Sequence, residues 1–478
     1  MSKPPLTPRD APLSLGRHGR VPRFEFAAVP VRAARFAVTL VLAALLTGGV
    51  ASCAGSAPHK LPPLGAGYWH TQGVRIVDAY GRPVRIAAVT WFGAESTTWV
   101  PAGLDFQPYR FIMREVKRLG YNTIRLPFCN ELVERDPVIT SWVAANPQFL
   151  GARALTVFQA IAQFARRIGL KIILDDQISE CEALGIHRQP SGLDEPLWYT
   201  RRYPETAWLR DWLKLARMFN GNSAVIGFDL RNEPHTAGPG QPGCASCPWS
   251  LYAYLHQGAT WGPFRGVEDR ATDWRLAAQR AGNAILRINR NLLIFVEGLQ
   301  LYPERGQPNG VDSYWYGGIL KMVRRYPVVL SVKHRLVYSP HEYGPNKWPY
   351  YSWWTNLTYP GLARKLNQQW GFILKHPRAP YAAPVFVGET GTCTNYLYCV
   401  ASVPPQPGLS KYKRIAQQQG TWLRLFVRYL RLHPAAGWGL WALNGTNARD
   451  AISTDGLLNP DWNGIQSWRL QNLLKKIQ

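Results

Sequence analysis

Along most of the chain, short runs of Val, Ile and Leu alternate with longer amphipathic stretches such as PYRFIMREVKRLG from Pro108 and ALTVFQAIAQFARRIG from Ala154. That alternation is a repeated βα pattern. Eight strand candidates follow in order: VRIAAVTWFG from Val84, TIRLPF from Thr123, KIILDD from Lys171, AVIGFDLRNEP from Ala224, LLIFVEG from Leu292, LVYSPHEY from Leu336, PVFVGETG from Pro384 and GWGLWALNG from Gly437. Unbroken apolar runs suit parallel strands covered on both faces, and eight of them suit a closed barrel without edges. The expected fold is therefore α/β, a (β/α)8 TIM barrel with a short N-terminal β-hairpin and extended loops at its C-terminal face. An open doubly wound sheet is the alternative, but WFGAES after the first strand lacks the glycine-rich phosphate turn that such sheets usually carry there.

Nearly every candidate strand ends in a polar or aromatic residue: Arg125, Asp176, Glu233, Glu297, His341, Glu389 and Trp441. A barrel brings those ends to one mouth. Two carboxylates stand out there. Glu233 precedes Pro234, which biases its backbone toward extended geometry. Glu389 lies between Gly388 and Gly391, glycines that permit close approach of a ligand to the backbone. Strands four and seven face one another across an eight-stranded barrel, and a carboxylate pair across a cleft suits glycoside hydrolysis. Arg125 is placed to hold Glu389 ionised, whereas Glu233, partly buried opposite a negative charge, is expected to keep its proton.

Composition adds a substrate class. The 20 Trp and 22 Tyr exceed the needs of a core. Trp91, Trp198, Trp249, Trp315 and Trp354 fall in loops after predicted strands, where two or three of them are expected to stack on sugar faces. Lys and Arg total 55 against 30 acids, a net charge of +25, with only 18% of residues charged. A basic exterior is compatible with nucleic acid, an anionic envelope or an acidic polysaccharide and selects none of them.

Residues 1–35 are polar and basic, and FAVTLVLAALLTGGV at 36–50 is short for a membrane span. Basic flank, apolar core and small residues are the parts of a secretory signal. Val50-Ala51-Ser52-Cys53 resembles a bacterial lipobox that would make Cys53 the lipid-bearing first residue; cleavage nearby, as after Ala57, or an uncleaved anchor are the alternatives. The long stretch before the apolar core also suggests that translation starts further in. The expected organisation is a leader at 1–53, a Pro/Gly/Ala/Ser tether at 54–66 and one domain at 67–478, exported either as an envelope lipoprotein or in secreted form. Six of the seven cysteines remain once Cys53 is set aside. Cys244 with Cys247, and Cys393 with Cys399, could each close a local loop, leaving Cys129 and Cys181 at the ends of two strands. Zinc is the rival reading of Cys244-x-x-Cys247, but no second pair completes four ligands. No metal or other cofactor is expected. Export and paired cysteines also sit poorly with nucleic-acid binding.

Taken together, GYWHTQG at 67, VRIAAVTWFGAE at 84, LGYNTIRLPF at 119, GLKIILDD at 169, VIGFDLRNEPH at 225, DSYWYGG at 312, LVYSPHEY at 336 and VFVGETGT at 385 resemble glycoside hydrolase family 5, in particular its bacterial endo-β-1,4-glucanases. The resemblance runs from about Gly67 to Trp462 and implies a retaining double displacement on a β-glucan chain, with Glu233 as acid/base and Glu389 as nucleophile. It implies that Asn232 binds the 2-hydroxyl, that Arg125 and Tyr343 hold and tune Glu389 while His341 completes that hydrogen-bond network, and that Trp441 is the stacking platform, with Trp315 a further one. The sequence departs from the family where Gln177 stands in place of a histidine that reaches the sugar, and where Thr390 replaces Phe after the seventh-strand glutamate. Extra length lies between Pro345 and Pro360 and between Cys393 and Lys411. No cellulose-binding module is read on either side, so a soluble or amorphous glucan is expected rather than crystalline fibre, and a monomer rather than an assembly. A mannanase or another β-glucanase of the same family, and a catalytically silent envelope barrel that binds polysaccharide, are the alternatives.

Overall fold

The computed structural model describes residues 62–181, 195–237, 250–345, 354, 356–392, 418–446 and 455–478. Cys53, Cys244, Cys247, Cys393, Cys399 and Trp249, the apolar run at 36–50, and most of the extra length after Pro345 and Cys393 lie outside the described residues.

Among the described residues, eight parallel strands form the barrel: β1 (Ala87–Thr90), β2 (Thr123–Cys129), β3 (Lys171–Ile178), β4 (Val225–Asp229), β5 (Leu293–Val296), β6 (Leu336–Tyr338), β7 (Phe386–Thr390) and β8 (Gly437–Leu440). Each lies within its predicted segment or runs at most two residues beyond it. Hydrogen bonding runs β6-β5-β4-β3-β2-β1-β8-β7, and a parallel bridge from Tyr338 to Val385 joins the two ends. This seam continues upward. Gly388 N donates to Pro340 O and Glu342 N to Glu389 O, both at 3.0 Å.

Alternation along each strand divides the work of its two faces. Ile173, Leu293, Phe295 and Val337 pack inside the barrel with Ile86, Ala88, Ile226 and Phe386. Two residues further along the same inward columns come Asp175 after Ile173, Glu297 after Phe295, and Ser339 then His341 after Val337. The barrel is thus apolar below and ionisable at its C-terminal end. The opposite faces, with Ile172, Leu174, Ile294, Val296 and Val387, pack against the surrounding helices. In the helix Ala154–Ile168, Leu155, Phe158, Ile161, Ala162 and Ala165 are buried at three- and four-residue spacing, and Gly169 ends the helix at φ +74°.

The predicted N-terminal hairpin is a three-stranded antiparallel sheet of His70–Gln72, Arg75–Val77 and Pro83–Val84. Its Trp69 and Ile76 join the interior cluster and close the bottom of the barrel. Residues 62–66, read from composition as tether, are tied to this sheet: Arg82 donates to Pro62 O and Pro63 O, and Asp78 accepts from Gly65 N. A second hairpin, Leu301–Pro303 with Val311–Ser313, follows β5 and carries no signal that the strand pattern anticipated. Cys129, the last residue of β2, and Cys181, three residues past β3, form a disulfide with Cα atoms 5.3 Å apart.

Candidate active site

Arg125 lies on β2 with its guanidinium fully buried at the centre of the mouth. A buried cation is tolerated only where it is paired and its donors are used. Its Nε donates to Asp229 Oδ2 (3.1 Å), Nη1 to Glu389 Oε1 (2.6 Å), and Nη2 to Asp175 Oδ1 (2.8 Å) and Asn232 Oδ1 (2.9 Å). Glu297 Oε1 is 3.4 Å from Nη2. One side chain therefore gathers groups from β3, β4, β5 and β7. Burial raises the pKa of Asp175 and of Asp229, against the pull of Arg125. Burial also pushes Glu297 up to about 8, opposed by His341 and reinforced by Asp229.

Glu389 Oε2 accepts from the Tyr343 hydroxyl at 2.7 Å, so both oxygens of this carboxylate are held. Burial, then the negative charge of Glu389, keeps the Tyr343 phenol far above its ordinary pKa and therefore a neutral donor. The glycines beside Glu389 make room for protein rather than ligand. A Cβ at Gly388 would lie 2.6 Å from Ser339 Oγ and 3.1 Å from His341 Nε2, and one at Gly391 would lie 2.2 Å from Trp441 O. Glycine thus lets the β6 and β8 extensions close on the strand that carries Glu389, which corrects the sequence expectation.

Glu233 departs from the extended backbone that Pro234 suggests: its φ is +50°. A non-glycine residue is held there only by strong local contacts. Here Glu233 N donates to Glu297 Oε2 (2.8 Å) and His235 Nδ1 donates to Glu233 O (2.6 Å). The twist delivers the Glu233 carboxyl to His341, whose Nδ1 is 2.8 Å from Oε1. His341 Nε2 lies 3.1 Å from Glu297 Oε1. Burial opposes charge on this imidazole, but Glu297, Glu389 and Glu233 outweigh it and hold its pKa well above the ordinary value. Glu233, His341 and Glu389 each bring one polar atom within 4.8 Å of the others.

The structure brings the other expected residues to the same mouth. Asn232 is fixed through Oδ1 by Arg125, while its buried Nδ2 has no hydrogen-bond partner among the described residues; the buried Oε1 of Gln177 has none either. Trp441 is half-buried and stacks on Phe92 with centroids 5.2 Å apart and planes inclined by 11°. Asn444 clamps the Phe92 backbone with hydrogen bonds to its N and O. Trp315 is almost buried and meets Tyr343 edge to face at 5.9 Å. Trp91, Trp198 and Trp354 are wholly buried and belong to the core, so the loop tryptophans supply fewer exposed faces than expected.

Asp176 does not join the cluster. It faces the helix layer, where it lies 3.5 Å from Arg231, and its neighbour Asp175 reaches Arg125 instead. Asp175 and Asp229 were the residues sequence reasoning missed. The signal was present in the two-residue steps from Ile173 and Gly227, but the direction of one residue on each strand must be known before those steps can be read.

Asp175, Asp229 and Glu297 also bring one oxygen each within 4.8 Å, a spacing that a divalent ion accepts. Arg125 already donates to all three of these carboxylates, most weakly to Glu297, so the cluster has its cation. The Glu233–His341–Glu389 group is likewise engaged by internal hydrogen bonds.

The family model described as Cellulase (glycosyl hydrolase family 5) matches residues 77–447. An endoglucanase from Paenibacillus polymyxa is 36% identical over 398 residues, covering 83% of each chain. The major extracellular endoglucanase of Xanthomonas campestris pv. campestris is 28% identical over 394 residues, covering 82% of this chain and 67% of that one. Among solved structures, a variant endocellulase from Pyrococcus horikoshii in complex with cellotetraose superimposes with a TM-score of 0.68 at 28% identity, over 87% of this chain and 100% of the other.

Proposed function

The chain belongs to glycosyl hydrolase family 5, and from that membership we propose that it is an endo-acting β-1,4-glucanase working by retaining double displacement. The observation that carries this reading is the Glu233–Glu389 pair, with carboxylate oxygens within 4.8 Å of each other. Retaining enzymes hold their carboxyls about 5–5.5 Å apart, whereas inverting ones leave about 6.5–9.5 Å for a water.

The unequal surroundings of the pair support one division of roles. Glu389, held by Arg125 and Tyr343, is the nucleophile: it attacks the anomeric carbon while Glu233 delivers a proton to the departing oxygen. Water then attacks the glycosyl ester, Glu233 takes its proton, and Glu389 is released. Asn232, with its oxygen pinned, turns its free N–H toward the 2-hydroxyl, where a strengthening hydrogen bond favours the transition state. Trp441 offers the sugar the face that Phe92 leaves open. Gln177 binds a hydroxyl beside the cleavage point, and Trp315 forms part of the wall further along.

Glu389→Ala is expected to abolish turnover of an aryl β-cellobioside, with azide restoring it as the α-glycosyl azide. A β-azide product would reverse the two roles, and native rates in both the Glu389→Ala and Glu233→Ala variants would end the assignment. Rates on carboxymethyl cellulose, mixed-linkage glucan and mannan identify the glycan. We read residues 62–478 as the catalytic domain of an exported monomer, carried behind a leader at 1–53 and a tether that begins at residue 54 and ends before Pro62. Cys53 is its lipid attachment point, a role tested by loss of palmitate incorporation in Cys53→Ala.

A further inference from the structure

Glu342 stands between two residues of the site and belongs to neither of their contacts. Its side chain is fully buried on the opposite side of the segment from His341 and Tyr343. There the Tyr314 hydroxyl lies 3.0 and 2.9 Å from the two carboxyl oxygens, and Trp370 Nε1 donates to Oε2 at 3.3 Å. The Trp315 indole and Lys365 also lie close enough to favour the ionised form of this carboxyl. Burial pushes this carboxyl up to about 8, so what it supplies near neutrality is a set of hydrogen bonds more than a charge. Meanwhile its backbone N–H donates to the carbonyl of Glu389.

The segment is an extension of β6, and alternation fixes what each residue can reach. His341 meets Glu233, Tyr343 meets Glu389, and the residue between them must point away. The seam between β6 and β7 is also where the barrel closes through few bonds, since β6 is paired to β7 by one bridge and the bonds above it. A segment held so lightly by its backbone needs an anchor if the two donors that face the carboxylates are to stay in place. Tyr314 and Trp370 supply that anchor from the second hairpin's end and from the helix–loop junction after Gln369.

Resting on the reading above, we propose that Glu342 is a positioning residue of the hydrolysis: its buried carboxyl locks the 341–343 segment onto the nucleophile strand, so that His341 and Tyr343 hold both carboxylates in register and Trp315 stays against Tyr343. It touches no substrate and acts through Tyr343 and His341.

The test compares Glu342→Leu, Glu342→Gln, Tyr314→Phe and Tyr343→Phe, and the double variant Glu342→Leu/Tyr343→Phe, each fitted for kcat and KM on a soluble β-1,4-glucan. Glu342→Leu removes every acceptor and is expected to lower kcat about tenfold, with KM within about twofold, because misplaced donors are lost in the transition state rather than in binding. Glu342→Gln, which keeps a polar acceptor, is expected to recover kcat to within about threefold of the wild type. Tyr314→Phe should lower kcat about threefold. The double variant should be no slower than Tyr343→Phe by more than about twofold, since most of the Glu342→Leu loss runs through the Tyr343 hydroxyl and only the remainder through His341. Four outcomes overturn the proposal: unchanged kcat in Glu342→Leu, a loss confined to KM, a Gln variant as slow as the Leu variant, or fully multiplicative effects in the double variant. If Glu342→Leu does not fold, unchanged kcat in Tyr314→Phe overturns it equally. A wild-type chain inactive on every glucan would instead end the underlying reading.

Discussion

Two buried arginines two strands apart make an instructive pair. Arg125, on β2, points into the barrel and collects Asp175, Asp229, Asn232, Glu297 and Glu389. Arg231, just past β4, points to the helix side. There it donates to Glu195 (2.6 Å) and Ser179 Oγ (3.2 Å) and lies 3.5 Å from Asp176, while Glu195 also accepts from Ser179 N and Glu180 N. The two clusters have the same chemistry and the same depth. One gathers groups from several strands at the mouth of the barrel, and the other fastens the loop after β3. What separates them is the side of the sheet on which each sits, and adjacent residues Asp175 and Asp176 are divided between them.

Arg125→Lys should break the first cluster most severely. An ammonium cannot reproduce the guanidinium fork, and kcat/KM is expected to fall about 10²–10³-fold with near-native folding by circular dichroism. Arg231→Ala should do the reverse, lowering stability by about 3–5 kcal/mol in denaturant titrations because Glu195 loses its partner, while kcat falls by less than about tenfold. A sharper comparison uses one isosteric exchange at neighbouring positions. Asp175→Asn is expected to lower kcat about tenfold, and Asp176→Asn to leave it within about twofold, since burial already pushes the Asp176 carboxyl up to about 7. Equal effects at both positions would show that the division between the two clusters has no functional weight.

The smallest effect concerns pH. Burial raises Glu95 and Asp176 to about 7 and Glu297 and Glu342 to about 8. In the unfolded chain these groups release their protons near pH 4. Between that value and about 7–8 the native state holds more protons than the unfolded one, so stability falls as pH rises through the window. Asp78 and Asp312 are shifted downward, and the stability they contribute is lost only in more acidic solution. Unfolding midpoints should therefore be higher near pH 5 than near pH 8, and a midpoint that rises across this range would contradict the burial of these carboxyls.

The eight strands, their order of use and the two glutamates were legible in the sequence because each leaves a local trace. A covered parallel strand is an apolar run, and a strand end is where that run turns polar. The same locality explains the misses. Trp91, Trp198 and Trp354 have the composition of a sugar cleft and the burial of a core, and only packing distinguishes the two. Glu233 has a proline behind it that argues for extended backbone, but the contacts that turn it to φ +50° come from Glu297 and His235. Gly388 and Gly391 were recognisable as places of close approach, though what approaches is set by β6 and β8.

By itself, then, the chain determined which segments become strands, which acids stand at their ends and which family's pattern they follow. Those properties depend on runs of neighbours and on the preferences of each side chain. Tertiary structure alone decided that Asp175 rather than Asp176 meets Arg125, that Glu342 turns away from the site its neighbours build, and that the barrel is sealed beside Glu389. Each of these depends on which face of a strand is inward and on which strand lies alongside, relations between residues far apart in the chain that become definite only when the sheet closes.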